Sequence, residues 1–385
     1  MKLHVVSFQV PYPPRYGGLI DVFYKLKALK RAGCHIVLHT YRYAESFVQD
    51  ESVIRQGLAG LADEIYFYER SEGWRSQCTW LPYIVYSRRD PHLFERLCQD
   101  DAPILFEGIH TCYFLSDNRL RGRQKWVRMH NVEHNYYYYL SRSTSSFLQR
   151  CYFLIEALRL RLYERKLNWA TKILAVSAAD ADHFKTHYPH VQVLSLPCFY
   201  NDAPLVFHNC PPLPLPVQRS GFLLYHGNLS VPENRKVACY ILRLLLPHLT
   251  EEQHVVIAGG NPDKNLMIEA SKHSNVTLIA NPSSELMDSL LAGAHIHLLF
   301  TFQATGVKLK LLHALARSSG HCLVNSLMLP QKEFKEICTV ADSLPEQLEA
   351  IRNLQARQPG ADMIVRRQEF LRRYGYANQV TSILG

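Results

Sequence analysis

The sequence predicts an α/β protein built as two doubly wound domains facing a cleft. Short apolar or β-rich runs recur along the chain, and most lead into a stretch whose apolar residues fall at helical spacing. The alternation stops at 201–219, which holds five prolines and no periodicity, and then restarts. A chain of 385 residues also exceeds one ordinary core, so two domains are the natural division.

The elements follow in order. Lys2 to Val10 is a β-rich run ending at Pro11-Tyr-Pro-Pro-Arg-Tyr-Gly17-Gly18, and Asp21 to Ala32 is a helix with Val22, Phe23, Leu26 and Leu29 on one face. Gly33 stops that helix before the strand Cys34–Thr40, which makes a βαβ opening to a parallel sheet. Strands at 64–68, 104–108 and 125–130 lead to His130-Asn131-Val132-Glu133-His134, at a strand's carboxyl end where open α/β sheets collect ligand contacts. A long basic amphipathic helix at 146–170 suits either a core helix with a solvated face or the surface of an anionic membrane. Then come the strand 171–177 and Ser177, placed to cap the next helix. After the linker, strands at 221–226, 254–258, 275–280, 294–300 and 321–325 alternate with helices around 238–246, 285–291 and 309–316. The domains read as 1–200, a linker at 201–219, and 220–361, with an Arg-rich helix over 362–385 packing back on the first domain.

Charge and composition narrow the function. The formal net charge is +9, with 26 Lys/Arg against 19 Asp/Glu in residues 1–200, which favours an anionic partner: a membrane surface or a phosphorylated acceptor. No nucleic-acid motif accompanies it, so nucleic acid ranks last. The ten cysteines include no C-x-x-C and no zinc-ligand spacing, so Cys34, Cys112, Cys239 and Cys322 read as buried thiols in a reducing compartment. No run reaches the roughly 18–20 apolar residues of a membrane span. The N-terminus enters a strand pattern without a cleavage site, so the expected location is cytoplasmic, with peripheral attachment at the inner membrane face as an extension.

The most informative stretch follows the strand at 294–300: Thr301-Phe-Gln-Ala-Thr305-Gly306-Val-Lys308-Leu-Lys310-Leu-Leu-His313-Ala314 is a polar loop with one glycine and then a helix opening on two lysines. Free N–H groups, the positive dipole end and two ammonium groups make an anion site, most simply for phosphate, against the plainer reading of a solvated basic turn. Gly17 and Gly18 let backbone approach a ligand closely, against the alternative of a mere tight turn. They form no G-x-G-x-x-G loop, which argues against a nicotinamide oxidoreductase. His130, Glu133 and His134 lack the H-E-x-x-H order, and no convincing D-x-D is present, so no metal is expected.

These residues resemble, nearly end to end, the GT-B retaining glycosyltransferases of the GT4-like group that builds bacterial surface polysaccharides, with two Rossmann-like domains. Pro11-Tyr-Pro-Pro-x-x-Gly17-Gly18 is similar to that group's first glycine loop, and Arg128-Met-His130-Asn131-Val-Glu133-His134 to its acceptor-side motif. Ile173-Leu-Ala-Val-Ser177-x-x-Asp180 resembles the strand and cap before the interdomain crossing. Tyr225-His-Gly227-Asn228-Leu-Ser with Glu233-Asn234, Val256-Ile-Ala-Gly259-Gly260 and Gly306-Val-Lys308-Leu-Lys310 resemble its donor-domain signatures. The resemblance implies metal-independent transfer from a nucleotide-diphosphate sugar, with no cofactor, to a glycan or lipid-linked acceptor. Lys308, Lys310 and the Gly17-Gly18 amides would hold the leaving diphosphate, while His130 would contact the reacting sugar. Gly227, Asn228, Asn234, Gly259, Thr305, Gly306 and His313 would serve the donor, and Asn131, Glu133 and His134 the acceptor side. Two departures stand out: the family's paired glutamates fall on Thr305 and His313, and its basic residue before the donor-domain helix gives way to Pro232-Glu233-Asn234. A nucleotide-sugar epimerase and a catalytically silent nucleotide- or glycan-binding protein stay open as alternatives.

Overall fold

The computed structural model describes residues 1–14, 17–43, 50–73, 76, 78–144, 146–200, 212–214, 217, 221–303, 308–373 and 376–385. Much of the linker read at 201–219, and the site candidates Thr305 and Gly306, lie outside these residues. The chain divides into two compact units, the first holding Met1–Tyr200 and Tyr376–Gly385, the second most of the intervening residues.

The first unit alternates strands β1 (Lys2–Ser7), β2 (His35–Arg42), β3 (Glu64–Glu69), β4 (Ile104–Glu107), β5 (Lys125–Met129), β6 (Lys172–Ala175) and β7 (Gln192–Ser195) with helices. The helices are α1 (Gly17–Arg31), α2 (Glu51–Leu58), α3 (Tyr83–Tyr86), α4 (Pro91–Leu97), α5 (Glu133–Ser143), α6 (Phe147–Tyr163) and α7 (Ala178–His187). The second unit holds β8 (Leu223–His226), β9 (Val255–Gly259), β10 (Val276–Ala280), β11 (Ile296–Leu299), β12 (His321–Val324) and β13 (Thr339–Val340). With them run α8 (Pro232–Tyr240), α9 (Lys264–Ser271), α10 (Ser284–Gly293), α11 (Leu309–Arg317), α12 (Leu344–Gln355) and α13 (Ala361–Arg373), while α14 (Tyr376–Leu384) returns to the first unit.

Among the described residues each unit has one wholly parallel sheet, ordered β3-β2-β1-β4-β5-β6-β7 in the first and β10-β9-β8-β11-β12-β13 in the second. Helices on both faces explain why the central strands β4, β5, β8 and β11 are buried at every position rather than at alternate ones, and why most of their residues are apolar. Leu3, Val5, Leu26, Leu38, Leu105 and Leu174 form part of one core layer of the first sheet, and Val6, Phe106, Val127 and Ile173 part of the other. In both sheets the strand order reverses once, between β1 and β4 and between β8 and β11. A crevice at the carboxyl ends of such strands is where α/β sheets bind ligands.

Several expectations shift in detail. Helix α1 begins at Gly17, four residues before its expected start at Asp21, and the helix expected around 238–246 begins at Pro232 and continues from Tyr240 through a π-turn at Ile241–Leu245. Pro232 fits the first helical turn, where no N–H is needed. The single helix read over 362–385 is two. In α13, Arg367 donates to the carbonyls of Ser318 (2.8 Å) and Gly320 (2.9 Å) in the second unit, and Phe370 packs on Phe334. In α14, Val380 and Ile383 join the first unit's core, and Lys172 Nζ donates to the carbonyls of Ser382 (3.3 Å) and Ile383 (3.0 Å).

The first unit is tied by a buried charge network. Arg128, in β5, donates through Nε and Nη2 to the two carboxylate oxygens of Asp21 in α1, each at 3.0 Å. Its remaining donor capacity goes to the carbonyls of Leu196 (2.6 Å) and Pro197 (3.0 Å) after β7. Asp21 also accepts from Lys25 Nζ (2.7 Å) and the Phe199 amide (2.8 Å), and Lys25 reaches Glu107 of β4 at 3.0 Å. The cations Arg128 and Lys25 hold the Asp21 carboxyl far below the usual carboxylate range despite its burial. Removing one member of such a pair strands the other charge. Arg128→Met is therefore expected to lose about 3–5 kcal/mol of stability, measured by chemical denaturation, and Arg128→Lys to recover only part because it cannot bind bidentately.

Candidate functional site

In the first unit the candidate residues gather where β1, β4 and β5 end. His130 follows β5 by one residue and is 5% exposed. Its Nε2 lies 3.3 Å from Glu107 Oε2 and its Nδ1 3.8 Å from Asp21 Oδ2, yet neither ring nitrogen makes an aligned hydrogen bond among the described residues. A buried imidazole whose two nitrogens face carboxylates without an aligned hydrogen bond stands out from the satisfied polar groups around it. Phe8, just past β1, packs edge-on against His130 at 5.5 Å between centroids and tilts against His110 at 5.4 Å. Gly18 is what admits that ring: a Cβ there would fall 2.8 Å from Phe8 Cζ. Gly17 opens α1 beside it, so the glycine pair, Phe8 and His130 form one constellation.

Asn131, Glu133 and His134 continue into α5. Asn131 Nδ2 donates to Glu133 Oε1 at 3.3 Å, while burial pushes the Glu133 carboxyl up to about 8. His134 Nδ1 and Glu164 Oε2 are 2.7 Å apart, so this ring pins α5 to the turn at Glu164–Trp169. Two groups of described residues bring three ligand-type atoms within 4.8 Å: Asp21, Glu107 and His130, and His134, Glu164 and His183. In the first, Lys25 and Arg128 already balance both carboxylates. In the second, the His134–Glu164 bond occupies the carboxylate. Neither leaves the surplus negative charge a hard cation seeks.

In the second unit the candidates meet where β8 and β11 end. Lys310, in the first turn of α11, directs Nζ to Asn234 Oδ1 (3.0 Å), Tyr225 Oη (3.5 Å) and the Phe300 carbonyl (3.5 Å), and over the Tyr225 ring at 5.0 Å. Lys308 caps the same helix and donates to the Gln303 carbonyl at 2.7 Å. The first turn of α8 closes the cluster, with Glu233 accepting from Thr301 Oγ1 (3.1 Å) and from the Phe302 amide. Asn234 Nδ2 donates to the Asn228 carbonyl at 2.9 Å. The glycines are spatially required: a Cβ on Gly259 would fall 1.7 Å from the Gly227 carbonyl, and Gly227 sits at φ +157° against the Asn234 amide. His313 lies one turn beyond Lys310, its ring held neutral down to about 4 by burial and, less strongly, by Arg317. Burial also pushes the Lys310 ammonium down to about 7, with repulsion from Lys308 adding and Glu233 opposing.

Sequence reasoning overlooked four participants. Asp21 and Glu107 were legible only as acids in a helix start and a strand, although Glu107 after Ile-Leu-Phe and Arg128 inside Lys-Trp-Val-Arg-Met are charges in buried runs, which signals a network. Phe8 gave no signal. His226, which ends β8, is buried with neither ring nitrogen bonded among the described residues, and burial with His297, Lys310 and His313 nearby keeps it neutral.

The depressed Lys310 pKa sets a sign for stability. The unfolded lysine, near 10.4, binds more protons than the folded one between pH 7 and about 10, so this group makes stability rise with pH across that window. Lys310→Met removes the effect. Its melting temperature is expected to exceed that of the parent at pH 7, with the gap shrinking by pH 9.5; a constant gap in scanning calorimetry counts against a depressed lysine.

No family model matches the chain. It is 26% identical over 331 residues to an uncharacterized 44.6 kDa protein in the cps region of Klebsiella pneumoniae, covering 82% of this chain and 80% of that one. Among solved structures it superposes on a mutant of TarM from S. aureus in complex with Fondaparinux, alpha-GlcNAc-glycerol and UDP, with a TM-score of 0.64 at 9% identity over 100% of this chain and 99% of the other. It also superposes on a UDP-forming α,α-trehalose-phosphate synthase from Burkholderia xenovorans, with a TM-score of 0.62 at 12% identity over 100% and 98%. With two parallel, helix-flanked sheets each reversing order once, this chain has the Rossmann-like, two-domain fold of the GT-B glycosyltransferases.

Proposed function

We propose that this chain is a glycosyltransferase that moves a sugar from a nucleotide-diphosphate sugar to a glycan or lipid-linked acceptor, with retained anomeric configuration and no metal or cofactor, in building a surface polysaccharide. The observation that carries the reading is the pair of lysines opening α11 at the sheet reversal of a GT-B-like donor domain. The similarity to a cps-region protein supports the polysaccharide context. Lys310, now held by Asn234, exchanges that neutral partner for a phosphate oxygen, and Lys308, which donates to the Gln303 carbonyl, turns toward the same anion. As the bond from the anomeric carbon to the diphosphate lengthens, negative charge grows on the leaving oxygens. Two cations and a helix N-terminus aimed there stabilise it more than the ground state, which is the condition for catalysis. That arrangement does the work a divalent ion performs elsewhere. His130, with two unbonded nitrogens beside Glu107, supplies polar contact to the reacting sugar. Asn131, Glu133 and His134 belong to the acceptor side. Gly17 and Gly18 offer amides at the start of α1, and Gly227, Asn228, Asn234 and Gly259 shape the donor loop, with Thr305 and Gly306 completing it in sequence.

One observation favours a second reading, a catalytically silent nucleotide- or glycan-binding relative. His313 stands where the family has a carboxylate, and a buried neutral imidazole supplies no negative charge. It can still bond a ribose hydroxyl as donor or acceptor.

Calorimetric titration with UDP, GDP and dTDP, followed by donor hydrolysis, separates the readings. One diphosphate is expected to bind and its sugar conjugate to be turned over. Binding without turnover of any conjugate selects the silent reading, and binding of none removes the diphosphate assignment. Lys310→Ala is expected to weaken the preferred diphosphate by at least about tenfold, roughly 1.4 kcal/mol, and Lys308→Ala by less. His130→Ala is expected to keep that affinity while losing about a hundredfold or more in turnover, the usual cost of one transition-state contact; normal transfer by this variant takes His130 out of the site.

A further inference from the structure

Helix α6 leaves a broad apolar face in water. Phe147, Leu148, Leu154, Ile155, Leu158 and Leu162 are all large and exposed, from 43% at Leu154 to 79% at Leu148. At about 100° per residue they fill a single arc of about 120° along the helix. The opposite side, with Glu156, Ala157, Leu160 and Tyr163, is buried in the first unit. A contiguous face of this kind marks an interaction site rather than the scattered exposure normal at surfaces.

The charges around the arc say what covers it. Arg150 and Arg161 border one edge and Arg165 continues the same side beyond the helix, all exposed, while Arg159 lies at the other edge. Arg142 adds a further exposed guanidinium on α5. The acids between residues 133 and 169 are Glu133, Glu156 and Glu164, and all three are buried, Glu156 bound to Arg159 at 2.7 Å and Glu164 to His134. The exposed surface of the α5–α6 hairpin is thus apolar and cationic, with no exposed carboxylate among its described residues. Two copies meeting through it would bring guanidinium groups together unpaired. A bilayer surface carrying anionic headgroups satisfies both halves, taking the apolar arc at the acyl boundary and the arginines at the phosphates. Among the described residues no helix is long and apolar enough to cross a membrane, so α6 would lie in the plane.

We infer that α6 is a membrane-docking element, seating its Phe147–Leu162 face in the interface of an anionic lipid bilayer. This goes beyond sugar transfer and does not depend on it, since no residue of the face belongs to the proposed site.

The test is co-sedimentation of the full chain with vesicles of phosphatidylcholine containing about one-third phosphatidylglycerol, and with pure phosphatidylcholine, at about 0.05 M and about 0.5 M salt. Binding to the anionic vesicles is expected, weakening by at least about tenfold without phosphatidylglycerol or at high salt. The double change Leu154→Ser/Leu158→Ser, at exposed positions, is expected to reduce partition about tenfold or more at low salt, and Arg150→Gln/Arg161→Gln to erase the preference for anionic lipid. Absence of binding at low salt, or binding unchanged by the leucine substitutions, overturns the inference. So does a lipid-free, concentration-dependent dimer that the leucine substitutions abolish, which assigns the face to a second copy. Diphosphate titration of the same variants is expected to match the parent, so failure of docking and failure of the transfer reading are told apart.

Discussion

Asp21 and Arg128 meet where neither is touched by solvent, and much of the first unit is arranged to make that tolerable. Two unit charges removed from water cost more than their mutual attraction returns unless every remaining donor and acceptor is used. Here the carboxylate takes donors from Arg128, Lys25 and the Phe199 amide, and the guanidinium spends its other N–H groups on Leu196 and Pro197 carbonyls. One pair thereby locks α1, β5 and the chain beyond β7 to one another, and through Lys25 it reaches β4. A well-packed apolar pair could match the stability. It would not set two carboxylates beside the imidazole of His130, two residues along from Arg128.

The second unit solves a similar problem with space rather than charge. The loop after β8 and the end of β9 approach so closely that no side chain fits at Gly259, and this contact brings Asn228 and Asn234 under Lys310. Lys310 is then a cation in a place that does not favour one, with its proton held loosely. Binding sites are commonly built from groups that the fold alone would not choose. The Phe300 carbonyl, the Asn234 amide oxygen and the Tyr225 phenol are neutral partners of the Lys310 ammonium, and neutral partners are readily displaced by an anion.

The layered fold was legible because the central strands are mostly apolar runs and helical spacing follows many of them; β4, β5, β8 and β11 lie within a residue or two of their expected positions. Short or edge elements were not. β13 has two residues, β7 has four, and in α9 the apolar residues are bunched at Leu266–Ile268 rather than spaced along one face. Of the site, the lysines, the glycines and His130 were visible because position relative to a strand end is a one-dimensional property. The Asp21–Arg128 pair spans 107 residues and the Lys310–Asn234 bond 76, and nothing local in either segment announces its partner. The division of 362–385 between the two units was equally hidden, since Arg367 and Ile383 differ in partner rather than in pattern.

That division bears on how the chain is made. A ribosome delivers β1 to β7 early, and domains ordinarily begin to fold as they emerge. The surface around Trp126 and Lys172, however, waits for α14, whose carbonyls receive the Lys172 ammonium and whose Val380 and Ile383 fill the core beside Leu19 and Leu26. Those residues emerge only after all of β8 to α13. During that interval the nascent first unit carries an open apolar seam and a Lys172 ammonium that water must hold until two carbonyls replace it, so synthesis of the second unit sets how long that seam stays exposed.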